Sequence, residues 1–423
     1  MLDHIPVIWQ IISEFLPTKQ ALTLRLVTKA NADYLRILSS TRPSKLVLPV
    51  MSHLTELDLS YCCNSIELGL LTRLSKLNIT NNQSITHCDI PSLKELIAAS
   101  SAIDPSSLKG LNLITLDIHC CNIGSLPCLP CLTYLDARNT NIKDKDIEGL
   151  SKLQTLKIAL VRGVSKLPFA NLTSLDISYA SSVTEKSLTQ LPNPHLLTEL
   201  YMTGNSWISN ISYLPKLRKL HIDNSGVTQS GIQGLVEVEE LSVANNHAIV
   251  DLTHMCKLTK LDISRSGVSQ AGIAGLCQIE ELRANDCTNI HDISAMSKLR
   301  IVHACGSGID QQGIAGLTEV EQIDLRGNSN IFDLSHMKNL TKADISYTNV
   351  TQQGIVGLTK LVELYTANTS SIWDLSHCPN LTVLDASESS IGQETIDKLH
   401  KLEILYAYDN PNITTSNADT FRQ

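Results

Sequence analysis

His119, Cys120, Cys121, Cys128 and Cys131 fall in one short stretch, and Cys128-Leu129-Pro130-Cys131 is a C-x-x-C. Thiolates and an imidazole at that spacing are what a tetrahedral zinc site uses. A closed structural site wants a second such pair, and none occurs in the sequence. Asp262, Asp324, Asp344 and Asp385 offer carboxylates for acid–base chemistry, but they recur at one fixed position of a repeating pattern. No Walker A loop, G-x-S-x-G or H-E-x-x-H accompanies them. The expectation is a chain that is not an enzyme and holds neither metal nor cofactor. Cys121 occupies the same repeat position as Cys62 and Cys287, so these thiols read as structural.

The 423 residues carry 34 Lys+Arg against 42 Asp+Glu, a formal charge of −8, with 43% apolar and only 4% aromatic residues. So apolar a chain is not disordered. The absence of a basic excess argues against a nucleic-acid or anionic-membrane binder. Met1-Leu2-Asp3-His4 is not a basic leader, and Gln10, Ser13 and Glu14 interrupt the apolar stretch from Ile5 to Leu16, so no secretory signal is expected. No run of about 18 apolar residues is long enough for a membrane helix. The expected compartment is the cytoplasm, and sequons such as Asn171-Leu172-Thr173 are by-products of an Asn- and Thr-rich repeat.

That repeat is L-x-x-L-x-L/I/A-x-x-N/S/T/C. It starts at eighteen places from Leu54 to Leu402, and from Leu217 the spacing alternates between 21 and 20 residues. Two unit types therefore alternate in a 41-residue double repeat, one like Leu258 to Leu276 and the other like Val320 to Lys338. The pattern resembles the leucine-rich repeat. What the resemblance implies is an α/β solenoid with a curved parallel β-sheet on its concave side and short helices or 3₁₀ turns on its convex side. The expected domains are a helical head at 1–45, a solenoid of about 18 repeats at 46–415 and a polar tail at 416–423.

Each position has a physical reason. Leu261 and Ile263 point to one face of a strand because strand side chains alternate. Polar residues such as Asn205, Asn246, Asn328 and Asn410 sit where a side chain can bond the neighbouring turn. No coil buries its apolar face alone, so stacked coils share one core, and thin coils leave little room for rings. In one unit type Gly231, Gly272, Gly313 and Gly354 allow short helices to pack closely on the adjacent coil. In the other, Ile331, Leu334 and Met337 suggest a single 3₁₀-like turn. The prolines of Gln190-Leu191-Pro192-Asn193-Pro194-His195 mark a loop insertion.

The first 50 residues do not repeat and read as two or three short amphipathic helices. They resemble an F-box: Ile5-Pro6 stands at the start, Leu16-Pro17 is the second apolar–proline pair, and Leu22, Leu24, Leu26 and Val27 fall in register. Gln20, Thr28 and Asn31 depart from the family pattern, and the two proline pairs sit one residue closer than usual. The resemblance implies that these residues dock on a Skp-type adaptor of a cullin–RING ubiquitin ligase while the repeats hold a protein substrate. The chain also resembles GALA-type effectors that bacteria deliver into host cells, which would place it in the host cytoplasm. The alternative is a scaffold, inhibitor or secreted effector whose head only caps the solenoid.

On the concave strands, the first outward position alternates in sign through Lys219, Glu240, Lys260 and Glu281, then Gln322, Lys342 and Glu363. This reads as a solvated cross-strand ion ladder. The next outward position is often Asp. Tyrosine gives large contact area at low entropy cost, and Tyr365, Tyr406 and Tyr408 cluster near Asp385. The expected partner-binding residues are therefore Arg283, His303, Arg326, Tyr365, Asp385, Tyr406 and Tyr408.

Overall fold

The computed structural model describes residues 34–36, 54–62 and 68–414. The head residues Ile5, Pro6, Leu16, Pro17, Leu22, Leu24, Leu26 and Val27, and the polar tail, lie outside them. The chain divides into two compact units, Met1–Asn171 and Leu172–Gln423.

The first unit carries β1 (Tyr34–Arg36), β2 (Glu56–Asp58), β3 (Lys76–Asn78), β4 (Glu95–Ile97), β5 (Thr115–Asp117), β6 (Tyr134–Asp136) and β7 (Thr155–Lys157). Each pairs in parallel with the next. The second carries β8 (Ser174–Asp176), β9 (Glu199–Tyr201), β10 (Lys219–His221), β11 (Glu240–Ser242), β12 (Lys260–Asp262) and β13 (Glu281–Arg283). It continues through β14 (Ile301–His303), β15 (Gln322–Asp324), β16 (Lys342–Asp344), β17 (Glu363–Tyr365), β18 (Val383–Asp385) and β19 (Ile404–Tyr406). These too form one parallel run in chain order. Every start of the repeat from Leu54 onward yields one such strand. Within the stretch expected to be helical, Tyr34–Arg36 is a strand instead; in the sequence Ala32 stands where the repeat carries leucine, so the pattern did not reach it.

The strands are three residues long because the chain must turn away after each. The central residue is buried, as Leu261 and Leu364 show, and so is the residue just past the strand, as with Ile263 and Ile345. Two positions further on the backbone enters the left-handed region in every coil from Tyr61 to Asp409. That residue still donates its amide to the following coil, for example Asn224 to Ala244 O at 3.0 Å and Asn368 to Ser387 O at 3.0 Å. Asn, Asp and Gly suit this conformation; Leu160, at φ 64°, does not. The position after it holds the polar ladder. Asn410 Nδ2 donates to Ala386 O at 2.7 Å and Ile391 O at 3.1 Å, and Asn328 Nδ2 to Ala304 O at 2.7 Å.

The return side shows a second ladder that the repeat pattern did not announce. Gln229, Gln270, Gln311 and Gln352 recur every 41 residues, each two positions before the packed glycine of a glycine-isoleucine pair. Gln352 Oε1 accepts the amides of Trp373 and Asp374 at 3.0 and 2.9 Å, while its Nε2 donates to Asp374 O at 2.7 Å. The other three repeat the same three bonds to the following coil. The carboxamide thus stands in for a strand backbone. Beside it Gly231, Gly272, Gly313 and Gly354 press against carbonyl oxygens of the preceding coil, those of Ser209, Val250, His291 and Phe332, where a Cβ has no space.

This contact limits the return segments to single 3₁₀ turns at Gln229–Ile232, Ala271–Ile273, Gln312–Ile314 and Gln353–Ile355. Where another residue takes the glycine's place the return segment is a short α-helix, α1 (Asp144–Ile147), α2 (Glu185–Thr189) and α3 (Gln393–Ile396), or, with Ser107, a 3₁₀ turn at Pro105–Leu108. There Thr395 Oγ1 donates at 2.8 Å to Trp373 O, the carbonyl equivalent to those the glycines touch. Around Ile331, Leu334 and Met337 the expected single turn closes through Met337 N donating to Leu334 O at 2.9 Å, while the Leu334 amide is spent on the following coil, donating to Gly354 O at 2.8 Å.

Two substitutions test these constraints. Gly272→Ala is expected to lower stability by about 1–3 kcal/mol through overpacking. Leu160→Asn is expected to raise it by up to about 1 kcal/mol by relieving left-handed strain. Urea unfolding midpoints read both, and a Gly272→Ala midpoint equal to wild type would refute the packing argument.

Candidate recognition face of the sheet

The outward side of the strands presents side chains in register within each unit. In the second unit the first column forms the expected ion ladder: Lys219 Nζ lies 3.6 Å from Glu240, Lys260 Nζ 2.7 Å from Glu281 and Lys342 Nζ 2.7 Å from Glu363. Such exposed pairs contribute about 0.2–1 kcal/mol each. Their larger effect is to leave the first column nearly neutral.

The central column is different. It carries Asp176, Asp262, Asp324, Asp344 and Asp385 against a single arginine, Arg283. A shallow depression of about 240 Å³ is lined by His221, Lys260, Asp262, Glu281 and Arg283. Arg283 is exposed and its register partner is His303. Burial and the Arg283 charge hold His303 below the usual imidazole range, so it is neutral near pH 7.

Register places Asp324 directly beside Asp344, and like charges so placed repel. Arg326 answers both from two positions past β15, at 3.4 Å to Asp324 and 3.8 Å to Asp344. Its Nε donates to Cys305 Sγ at 3.4 Å. Burial and the Asp324 charge push the Asp344 carboxyl above the usual carboxylate range. The first unit solves the same problem more tightly. There Asp117 faces Asp136, Arg138 donates to Asp136 from Nε and Nη2 at 2.7–3.0 Å, and His119 Nδ1 lies 2.7 Å from Asp117.

The sites expected from sequence sort as follows. Tyr365, Asp385 and Tyr406 are brought into register on three adjacent strands. Tyr408 lies two positions past β19, 72% exposed, with its amide bonded to Ser387 Oγ. Arg283 and His303 are neighbours further back along the column. Arg326, expected to meet a partner, is instead engaged with Asp324 and Asp344; sequence reasoning missed that pairing, for which the available signal was aspartate repeated in consecutive coils. His119 meets Asp117 and Asp136, the one group of three potential metal-ligating side chains among the described residues. Arg138 already pairs with Asp136. The cysteines of that stretch are free: Cys121 sits in the polar ladder and bonds Ala98 O at 2.9 Å, while Cys128 is exposed. Burial pushes the Cys121 and Cys287 thiols up, and those of Cys88 and Cys378 up to about 12, which suits packing rather than nucleophilic chemistry.

Because the folded state keeps Asp344 protonated to a higher pH than the unfolded chain does, its ionisation weakens the fold as pH rises through that raised value. Asp344→Asn keeps the acceptor for Ser346 and removes the charge. Its thermal midpoint is expected to exceed wild type at pH 7, with the gap closing toward pH 4. An equal gap at both pH values would show that charge is not the cause.

With this geometry in hand, the similarities to known proteins are these. A leucine-rich repeat family model matches residues 50–63. A search of curated proteins finds no match. Among solved structures, TLR13 in its complex with ssRNA13 aligns at TM-score 0.57 and 19% identity, over 87% of this chain and 64% of that one. This chain therefore spans less than two thirds of TLR13. The functional domain of InlJ from Listeria monocytogenes, which includes a cysteine ladder, aligns at TM-score 0.48 and 20% identity, over 84% of this chain and 73% of that one. A leucine-rich repeat protein of Leptospira interrogans aligns at 0.46 and 16%, over 90% and 95%. The fold is a parallel β-solenoid of the leucine-rich repeat type, and no helix among the described residues is long and apolar enough to cross a membrane.

Proposed function

We propose that this chain recognises a protein on the strand face of its second unit and acts by binding, without catalysis of its own. The observation that carries this reading is the Tyr365–Asp385–Tyr406 row, joined by the exposed Tyr408, beside a first column made nearly neutral by ion pairs. Aromatic anchors on a rigid, prepaid surface are what protein interfaces concentrate. TLR13 is described in complex with single-stranded RNA. Here the central column sets five aspartates against one arginine, a charge that repels phosphate, so a polypeptide fits the face better.

The finer reading is a substrate receptor of a cullin–RING ubiquitin ligase working in the cytoplasm, its N-terminal segment docked on a Skp-type adaptor. It rests on the register of Ile5-Pro6, Leu16-Pro17 and the apolar residues Leu22, Leu24, Leu26 and Val27. The second reading is a scaffold, inhibitor or effector whose N-terminal segment only caps the solenoid. Because β1 belongs to the repeats, the discriminating variant removes residues 1–30 and spares it. The full chain is expected to retain purified Skp-type adaptor in a pull-down and the shortened chain to lose it. No retention by the full chain defeats the ligase reading. Replacing Tyr365, Tyr406 and Tyr408 together by alanine is expected to weaken capture of the substrate protein at least tenfold, a loss of about 1.4 kcal/mol or more.

A further inference from the structure

We infer that Tyr365, Asp385 and Tyr406 form a box that takes one lysine or arginine side chain of the bound polypeptide. This rests on the reading of the face as a protein-recognition surface and names the chemistry it selects. Register sets Tyr365 beside Asp385 and Asp385 beside Tyr406. Neighbouring strands lie about 4.8 Å apart, so the two tyrosines flank the carboxylate at about that distance on either side. A cation seated over Asp385 then falls inside the roughly 6 Å reach of a cation–π contact to both rings.

The protein's own lysines show that outward tyrosines of the strand face accept cations. At Tyr365 itself Lys342 Nζ lies 5.8 Å from the ring centroid, reaching over from β16 on the side away from Asp385, and one column over, at the first position of β6, Lys157 Nζ lies 5.4 Å from the Tyr134 ring. Asp385 is treated differently from the other acids of its neighbourhood. Asp324 and Asp344 share Arg326. Asp385 accepts the Ser387 amide on Oδ1 at 3.0 Å, and among the described residues no lysine or arginine pairs with it. Tyr406 is 38% exposed and has no cation over its ring among those residues. One carboxylate without a counter-ion, between two rings of a type that elsewhere holds ammonium groups, fits a basic side chain better than an acidic or aliphatic one. The surrounding aspartates add long-range attraction for such a segment.

The test pans a phage-displayed library of random dodecapeptides on the full-length wild-type chain, then measures the recovered peptides by fluorescence anisotropy. Recovered sequences are expected to be enriched in lysine or arginine. Asp385→Asn and Tyr406→Ala are each expected to weaken binding about tenfold. Asp176→Asn removes the same charge from the same column outside the box and is expected to change affinity less than about twofold. Matching thermal midpoints establish that the variants fold, and Tyr406→Phe, which keeps the ring, is expected to bind like wild type. Peptides lacking basic residues, or equal losses in Asp385→Asn and Asp176→Asn, overturn the box and leave the recognition surface standing. Recovery of no peptide by the wild type overturns both.

Discussion

The interaction on which everything else depends is the backbone hydrogen bond from each coil to the next. A three-residue strand cannot bury or satisfy itself, so its amides and carbonyls are paired only if another coil of nearly equal length lies alongside. The left-handed residue that follows each strand extends this pairing around the corner, as Asn224 and Asn368 do. Once that geometry is imposed, the repeat length near 20 residues follows, and with it the restriction of the core to small aliphatic side chains. Phe169 is the only ring in the core among the described residues.

Side chains then substitute for backbone wherever the coils have no strand. On one side of the turn, Asn328 and Asn410 donate to carbonyls of the preceding coil, and Cys121 and Cys287 hold the same place with weaker thiol donors. On the return side, Gln229, Gln270, Gln311 and Gln352 reach forward to the following coil with two acceptor contacts and one donor contact each. Glu185 fills that role with acceptor contacts alone, to the Ser209 hydroxyl and the Ser209 and Asn210 amides, and these bonds hold its carboxyl below the usual range. The glycines beside the glutamines let the coils come close enough for these bonds to form.

A surface built this way is rigid before any partner arrives, so its selectivity lies in which side chains fill a fixed grid. Adjacent columns place charges at one strand spacing, where sign matters more than number. Alternating lysine and glutamate cancel along the first column. Repeated aspartates do not cancel, and the protein spends an arginine on each close pair: Arg138 bidentately on Asp136, Arg326 more loosely between Asp324 and Asp344. Asp385, between two tyrosines, receives none among the described residues.

The sequence by itself determined the periodicity, and through it the parallel strands, the buried positions, the ladder asparagines and the columns of the outward face. A period near 20 residues repeated this often leaves the chain no other way to bury its leucines. It was silent about β1, whose coil begins with Ala32 in place of leucine, and about the glutamine ladder, since glutamine on a return segment looks like ordinary surface. It also overstated the helices, because the closeness of Gly272 to the Val250 carbonyl is a contact between coils that no single repeat reveals. Only the tertiary structure decided which acids have partners. Asp324, Asp344 and Asp385 occupy one identical repeat position, and their fates differ because Arg326, two positions past β15, folds onto Asp324 in its own coil and across to Asp344 in the next, a side-chain placement that the repeat pattern does not display.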